Sequence, residues 1–536
     1  METIYDSAIN QLRNLKPNDE IYQCEIGQKD VVDDADALLS LANEKLHVFP
    51  FRAVKPCWFR LFTDASIAKV LMLIKSAMET TKSQATDGVQ VSSDLGWLDQ
   101  VVSILDMSLI MAGGLGREQL IHKLLADLQR VTSTSFAGDE SSDSEGHSDF
   151  EFDEWESSRP QKRQKITKSS QPPGDELPRN PTVLPQILHP VERTASPSLA
   201  AFEEHIYSKE TPLIITNTMD GWPAIRQWKT KSYWLSQTLG GRRLVPVEVG
   251  RSYTDEGWGQ KIMKFRDFFS QHILQHENEM LAQDQEWQTG YLAQHTLFEQ
   301  IPPLRRSILT PDYVYITPPP PTPDSPVAKS TFTATPIEPG TALQNIWFGP
   351  PWTISPLHHD PYHNLLAQVF GKKYIRLYAP QYSSRLFPRS ATETAPDASL
   401  NNEASIPAVN RYAQTSHPDR PDDSVIKPEA PEPKTIDMSN TSQIDFSQIE
   451  TSPFEDWDEV YPGLSSVPYV ECVLEEGEML YIPIGWWHYV RSCSTGISVS
   501  FWWGGNDMQG DSSSQKEEEE GEEDEDQHPK QNSKGE

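Results

Sequence analysis

Residues 356–378, PLHHDPYHNLLAQVFGKKYIRLY, set three histidines, an aspartate, an asparagine and a lysine pair among strand-forming apolar residues. His358 and Asp360 are two apart, so on an extended strand one imidazole and one carboxylate share a face. A third ligand has to come from another strand. His488, in EGEMLYIPIGWWHYVRS, follows a Gly-Glu turn, a strand and a proline. Two histidines and one carboxylate form a facial triad that leaves positions open on a non-haem Fe(II). The same alternation turns His359 away from such a metal, and His363 reads as a loop or supporting residue. Asn364 opens the strand NLLAQVF. Lys373, after the hairpin glycine Gly371, shares a face with Ile375 and Leu377, while Lys372, Tyr374 and Arg376 take the other. A lysine on an apolar face is costly unless its charge is paired. Either a bound dicarboxylate pairs it, or the side chain snorkels to water from the hairpin end. For the whole stretch, the competing reading is an ordinary polar turn between two strands.

These residues need a carrier. Short strands dominate from 342 onward: ALQNIWFGP, HNLLAQVF, KKYIRLYAP, YVECVLEEGEMLYIP, HYVRSC and ISVSFWW, separated by Gly and Pro with little helix between them. The pattern predicts an antiparallel barrel or double sheet. Upstream, VEVGRSYTDEGWGQKIMKFRDFFSQHI reads as strand, loop, then helix, and GYLAQHTLFEQIPPL as a strand followed by a short helix. Residues 393–450, dominated by Pro, Asp, Ser, Thr and Asn, read as a disordered insertion in a surface loop joining two strands.

Residues 1–131 have a helical period. Leu38, Leu41 and Ala42 form one stripe, with Asp33 or Asp34 as its cap. Ile67, Val70, Leu71 and Ile74 form a second, Leu98, Val101, Val102 and Leu105 a third, and Leu120, Leu124, Leu125 and Leu128 a fourth. An all-α N-terminal domain is expected, its stripes meeting in a core. Residues 132–190 are acidic and serine-rich, then basic, and read as a disordered linker. The run from Lys162 to Lys168 is either a solvated cluster balancing the preceding acid or a nuclear import signal. The catalytic domain is expected over 191–506. Residues 507–536 form an acidic tail, solvated or in contact with a basic protein such as a histone.

The chain has 536 residues, enough for two domains, and a formal net charge of -32, from 78 acidic against 46 basic residues. That balance argues against direct nucleic-acid binding and favours basic peptides or proteins as partners. The 4 cysteines form no CxxC pair, which suits a reducing compartment. No signal core or membrane-length apolar run stands out, so an intracellular, soluble protein is expected.

With these residues in view, residues 245–503 resemble a JmjC (jumonji C) domain, a cupin-type double-stranded β-helix with flanking helices. The resemblance rests on VPVEVGRSYTDEGW, GYLAQHTLFEQIP, WFGPPWTISPLHHDPYHNLLAQVFGKKYIRLYAP, GEMLYIPIGWWHYVRS and SVSFWW. It is strongest to the subgroup of arginyl hydroxylases and proposed lysine demethylases that carry a helical N-terminal domain. The resemblance implies Fe(II) held by His358, Asp360 and His488, with 2-oxoglutarate and O2 as cosubstrates. It further implies that Lys373 grips the distal carboxylate of 2-oxoglutarate, assisted by Tyr291 and Ser355, with Asn364 lining the pocket. Trp347 and Gln294 would shape the region near iron, and Glu248 and Tyr253 would hold a basic substrate side chain. One departure is visible: where the subgroup reads Gly-Ser-Arg-Tyr, this chain reads Gly250, Arg251, Ser252, Tyr253. On a strand, that one-step move would reverse the arginine's face.

The activity so implied is hydroxylation of an aliphatic C–H on a basic residue, arginine foremost, of a protein substrate, with succinate and CO2 as co-products. Its rivals are demethylation of histone N-methyl-lysine and a catalytically silent chromatin or scaffold role. A nuclear location, with or without a cytoplasmic pool, goes with the import reading. Replacing Lys162, Arg163, Lys165 and Lys168 with neutral residues should shift a fluorescently tagged chain toward the cytoplasm. Unchanged nuclear accumulation would leave the run as charge balance alone.

Overall fold

The computed structural model describes residues 2–24, 26, 30–47, 54–86, 96–136, 174–255, 257–274, 289–329, 337–394 and 435–505. Residues 137–173 of the expected linker, with its basic run, 395–434 of the insertion, and the tail from 506 lie outside the described residues.

The N-terminal region is helical, with α1 at Glu2–Arg13, α2 at Ala35–Leu46, α3 at Pro56–Thr86, α4 at Gly96–Ala112 and α5 at Glu118–Phe136. The expected stripes turn inward into one shared core, with Leu41 at its margin. Asp34 stands at the N-cap of α2 but makes no side-chain cap bond. Buried charge is paired inside this core: Asp64 lies 3.4 Å from Arg60 and 3.0 Å from Arg117.

The remainder is built from strands. In chain order they are β1 Glu192–Ala195, β2 Leu213–Thr216, β3 Leu244–Val249, β4 Gly259–Lys264, β5 Gly290–His295, β6 Leu343–Gly349, β7 Ile354–His358, β8 His363–Phe370 and β9 Lys373–Tyr378. They continue with β10 Glu393–Thr394, β11 Thr435–Ile436, β12 Val470–Leu474, β13 Met479–Ile482, β14 Trp487–Ser492 and β15 Gly496–Trp503. A nine-stranded sheet has the order β1-β2-β13-β8-β15-β6-β5-β3-β4, and a four-stranded sheet the order β12-β9-β14-β7. The two sheets face each other across a core that includes Leu366, Ile375, Leu377, Leu480, Ile482 and Val490. This is the double-stranded β-helix that the strand pattern and the resemblance led one to expect. The outer face of the large sheet is covered by an aromatic-rich layer with Trp228, Trp234, Phe265 and Phe268. The outer face of the small sheet is covered by a second layer, with Tyr374, Phe446, Trp487 and Tyr489.

Three expectations need correction. VEVGRSYTDEGWGQKIMK holds two strands, not one, because β4 returns along β3 as a hairpin. The linker ends earlier than 190: Leu177 is buried, Thr182 N–H donates to Cys493 C=O, and Leu188 N–H donates to the Glu471 carboxylate at 2.7 Å. The insertion also ends earlier than 450. Residues 438–446 lie along β7, with Ser442 N–H donating to Leu357 C=O and His359 N–H to Asn440 C=O. These bonds are made by backbone N–H groups, which pair with strand edges whatever the side-chain composition that suggested disorder.

Gly371 turns the β8–β9 hairpin with φ of 75°, and a Cβ there would lie 2.0 Å from the Thr495 carbonyl oxygen. Gly477 also has positive φ, 85°, but nothing within 4 Å of such a Cβ. Gly371→Ala should therefore cost about 2–4 kcal/mol, against about 1 kcal/mol for Gly477→Ala. Denaturant unfolding of the two variants checks this, and equal costs would contradict the close hairpin packing.

Candidate metal and cosubstrate site

Strand pairing brings the metal-binding candidates together. β14 lies between β9 and β7, and His488 pairs directly with His358. Asp360 lies just past the end of β7, where its carbonyl accepts from Gly485 N–H at 3.1 Å. One ligand atom from each of His358, Asp360 and His488 lies within 4.8 Å of the others. His358 Nε2 is 4.0 Å and His488 Nε2 is 3.7 Å from the Asp360 carboxylate. Each ring's Nδ1 donates to the carbonyl two residues earlier, Pro356 at 2.7 Å and Trp486 at 3.0 Å. Those bonds place the proton on Nδ1 and leave both Nε2 lone pairs aimed at the shared centre. Burial, then the neighbouring His358, holds His488 well below the usual imidazole range, so it is neutral and able to ligate. Burial raises the Asp360 carboxyl, and His358 acts in the opposite direction.

His359 faces away, as alternation requires. Its ring packs edge-on against Trp487 with centroids 4.7 Å apart, and burial followed by His358 lowers it to about 3. His363 is not in a loop. It starts β8 on the outer face of the large sheet, where Nδ1 bonds the Tyr481 hydroxyl at 2.9 Å and Nε2 lies 3.1 Å from the Pro319 carbonyl.

The lysine question is decided by burial. Lys373 is 2% exposed, which excludes snorkelling. Its ammonium donates to the Tyr291 hydroxyl at 3.1 Å and lies 5.7 Å from the ring centroids of Tyr291 and Trp347. Among the described residues it has no carboxylate partner, and burial lowers it to about 7. The Asn364 Oδ1, and both amide atoms of Asn345, are also buried without hydrogen-bond partners among the described residues. A cation and several unsatisfied polar atoms in one apolar barrel are what a bound dicarboxylate would satisfy. The residues present thus fit both a triad-held Fe(II) and 2-oxoglutarate.

Ser355 reaches the barrel through an irregularity. Val490 pairs with Ser355 while His488 pairs with His358, so the ladder slips between them. Trp347 faces inward from β6 and donates from Nε1 to Ser500 Oγ at 3.2 Å. Gln294 lies where β5 breaks register with β6, and its φ is 47°. Glu248 pairs in register with Tyr291 across β3 and β5. Burial lifts its carboxyl to about 7, with the Trp258 indole acting in the opposite direction. The Tyr253 hydroxyl is 3.4 Å from Thr441 Oγ1. Burial raises that phenol, the bond to Thr441 acts in the opposite direction, and the Glu248 and Asp360 charges raise it further.

Arg251 is in a loop rather than on a strand, so face reversal does not describe it. It forms a rim pair with Asp255 at 3.1 Å and approaches Asp445 at 3.7 Å. Sequence reasoning missed Asn345, Trp258 and Thr441. Asn345 was findable, because it is two residues before Trp347 on the same face of one strand. Thr441 was hidden inside the low-complexity composition of the insertion.

Comparison with known proteins agrees with this architecture. Residues 199–509 match the family described as a cupin-like domain. The chain is 30% identical to Lysine-specific demethylase JMJ30 of Arabidopsis thaliana over 88% of its own length and 85% of the relative's. It is 29% identical to Lysine-specific demethylase 8 of Danio rerio over 88% and 86% respectively. A shorter match, 28% identical over 31% of this chain and 42% of the relative, is to the human Bifunctional peptidase and (3S)-lysyl hydroxylase JMJD7.

His358→Ala, Asp360→Ala and His488→Ala should each lose iron, whereas His359→Ala should retain it; elemental analysis checks this. Equal loss for His359→Ala and His358→Ala would overturn the facing argument. Lys373→Ala should keep iron but weaken 2-oxoglutarate roughly 30-fold to several thousandfold, the worth of a partly buried charge-assisted pair. The free lysine loses its proton near pH 7, while the carboxylate-paired lysine holds it higher. Binding then takes up a proton above pH 7, and affinity should fall with rising pH by up to about tenfold per unit. Calorimetry at pH 8 in buffers of different ionisation enthalpy measures that uptake.

Proposed function

Because this chain belongs to the cupin-like JmjC oxygenases, Fe(II)- and 2-oxoglutarate-dependent dioxygenases that use O2, we propose that it hydroxylates an arginine side chain of a basic protein substrate. The observation that carries this reading is Glu248, a half-buried carboxylate in register with Tyr291 and electrostatically coupled to Tyr253, itself coupled to Asp360. A single desolvated carboxylate favours a cationic side chain, and the adjacent Trp258 suits a planar guanidinium that can stack while it is bonded.

Each part of the chain then has a task. His358, Asp360 and His488 would hold Fe(II) through two imidazoles and one carboxylate. Lys373 and Tyr291 orient the distal carboxylate of 2-oxoglutarate, with Ser355, Asn364, Trp347 and Gln294 around it. Iron with 2-oxoglutarate, when bound, supplies the oxidising chemistry that turns O2 on an unactivated C–H bond. Leu366, Ile375, Leu377 and Val490 form a dry wall that excludes water from that chemistry. Glu248 and Tyr253 fix which carbon of the substrate reaches the metal.

Demethylation of N-methyl-lysine is the second reading, favoured by the names of the relatives. A nuclear basic protein such as a histone would serve either reaction, and the nuclear location rests on the import run. Among the described residues no helix is long and apolar enough to cross a membrane.

Purified protein with Fe(II), 2-oxoglutarate and arginine-rich or methyl-lysine peptides decides between them by mass spectrometry. Gain of one oxygen atom on arginine is expected. Formaldehyde release with loss of a methyl group would establish the second reading instead. Glu248→Gln should raise peptide KM about tenfold to a hundredfold, the loss of a charge-assisted bond of roughly 1.5–3 kcal/mol. Wild-type KM should fall as pH rises through about 7, where Glu248 ionises.

A further inference from the structure

One face of α4 carries the buried polar contacts between the helical and oxygenase domains, while α5 adds Gln129 Nε2 to the Ser236 carbonyl at 2.6 Å and Leu239 packs into the helical core. Asp99 and Asp106 lie seven residues apart, two turns, on that face. Asp106 is fully buried. Its carboxylate accepts from Arg243 Nε at 2.9 and 3.0 Å, from Leu244 N–H at 2.7 Å and from Gln300 Nε2 at 2.9 Å. Arg243 in turn donates to the Gln300 carbonyl at 2.7 Å, and Gln300 Nε2 to the Leu244 carbonyl at 2.7 Å. Gln300 Oε1 meets His295, at the end of β5, at 2.7 Å. Two turns away Asp99 gathers Arg242, Lys264 and Arg266 at 2.8, 2.6 and 2.7 Å.

Those contacts fall at one end of one hairpin. Leu244 and Lys264 are paired at the open base of β3–β4, and Glu248 and Gln260 are paired toward its turn. Among the described residues, β3 shares only Glu248↔Tyr291 and Val249↔Gly290 with β5, and 244–247 have no partner strand on that side. Asp106 supplies the acceptor that a neighbouring strand would otherwise give to Leu244, and Asp99 ties down the other strand. The ladder that joins this hairpin to β5 is short, so apart from the packing of Val245, Val247 and Met263 into the aromatic-rich layer, its base depends on these contacts.

We propose that the helical domain is a positioning element of the active site: the Asp106–Arg243–Gln300 network sets the register and depth of β3, and so the place of Glu248. Asp106 is a positioning residue that acts through Leu244 and Arg243. The consequence for turnover rests on Glu248 receiving the basic side chain; the mechanical coupling does not.

Asp106→Asn tests this in the full-length chain, because the amide keeps the volume but turns donors toward Arg243 or Gln300. Hydrogen exchange read by mass spectrometry should accelerate roughly tenfold in 244–249 and 259–264. Peptide KM should rise roughly tenfold to a hundredfold, as for a misplaced binding group, while kcat, iron content and 2-oxoglutarate affinity stay within about twofold. Asp64→Asn is the control: it breaks a buried carboxylate pair inside the helical domain, between Arg60 and Arg117. Arg243→Lys should repeat the Asp106→Asn pattern more weakly, since one ammonium cannot replace the forked guanidinium. Unchanged exchange and KM in Asp106→Asn, or the same changes in Asp64→Asn at equal loss of Tm, would overturn the proposal. If the wild type turns over no basic peptide, the substrate reading fails and the exchange result still decides the coupling.

Discussion

The pairing of β14 with both β9 and β7 is the constraint on which the site depends. It sets His488 opposite His358 and next to Leu377, so two imidazoles and the inner wall of the barrel belong to one ladder. Short side chain-to-backbone bonds within each histidine's own strand end fix the ring tautomers. Asp360 is added by the turn after β7, itself tied to Gly485 just ahead of β14. The candidate metal centre is therefore a property of sheet closure, and no single segment of chain could present it alone.

The barrel interior is apolar apart from a small group of polar side chains; Gln368 bonds Ser498 and Trp347 bonds Ser500, but others are left under-satisfied. Among the described residues, Lys373 has a phenol but no carboxylate partner, and Asn345 and Asn364 carry unpartnered amide atoms. A core chosen only for stability would not keep a desolvated ammonium there. The same interior would strengthen contacts to a bound dicarboxylate, because a charge-assisted bond in a dry site competes with little water. Stability foregone in the free protein would then reappear as affinity and orientation.

The two domains are coupled largely through buried charge, beside an apolar contact in which Leu239 packs into the helical core. Apolar contact between them would hold the domains together without fixing the register of one strand. A carboxylate that accepts from a backbone N–H, an arginine and a glutamine side chain permits few arrangements, which suits a contact that must place an edge hairpin.

Much of the site was readable in the sequence, since a strand's period of two separates His358 and Asp360 from His359, and Lys373 from Lys372, before any fold is known. The helical stripes and strand blocks were equally readable, because burial imposes its period on local sequence. Composition failed where backbone groups pair with a neighbouring strand: residues 174–190 and 435–450 look unstructured by content, yet parts of them bond Cys493 just after β14, Glu471 of β12 and Leu357 of β7. Tertiary structure alone decided that Lys373 is buried, that Ser355 reaches the barrel through a slipped ladder, and that Asp106 meets Leu244 across 138 positions. Each of these depends on contacts between segments far apart in the chain, which local periodicity cannot encode.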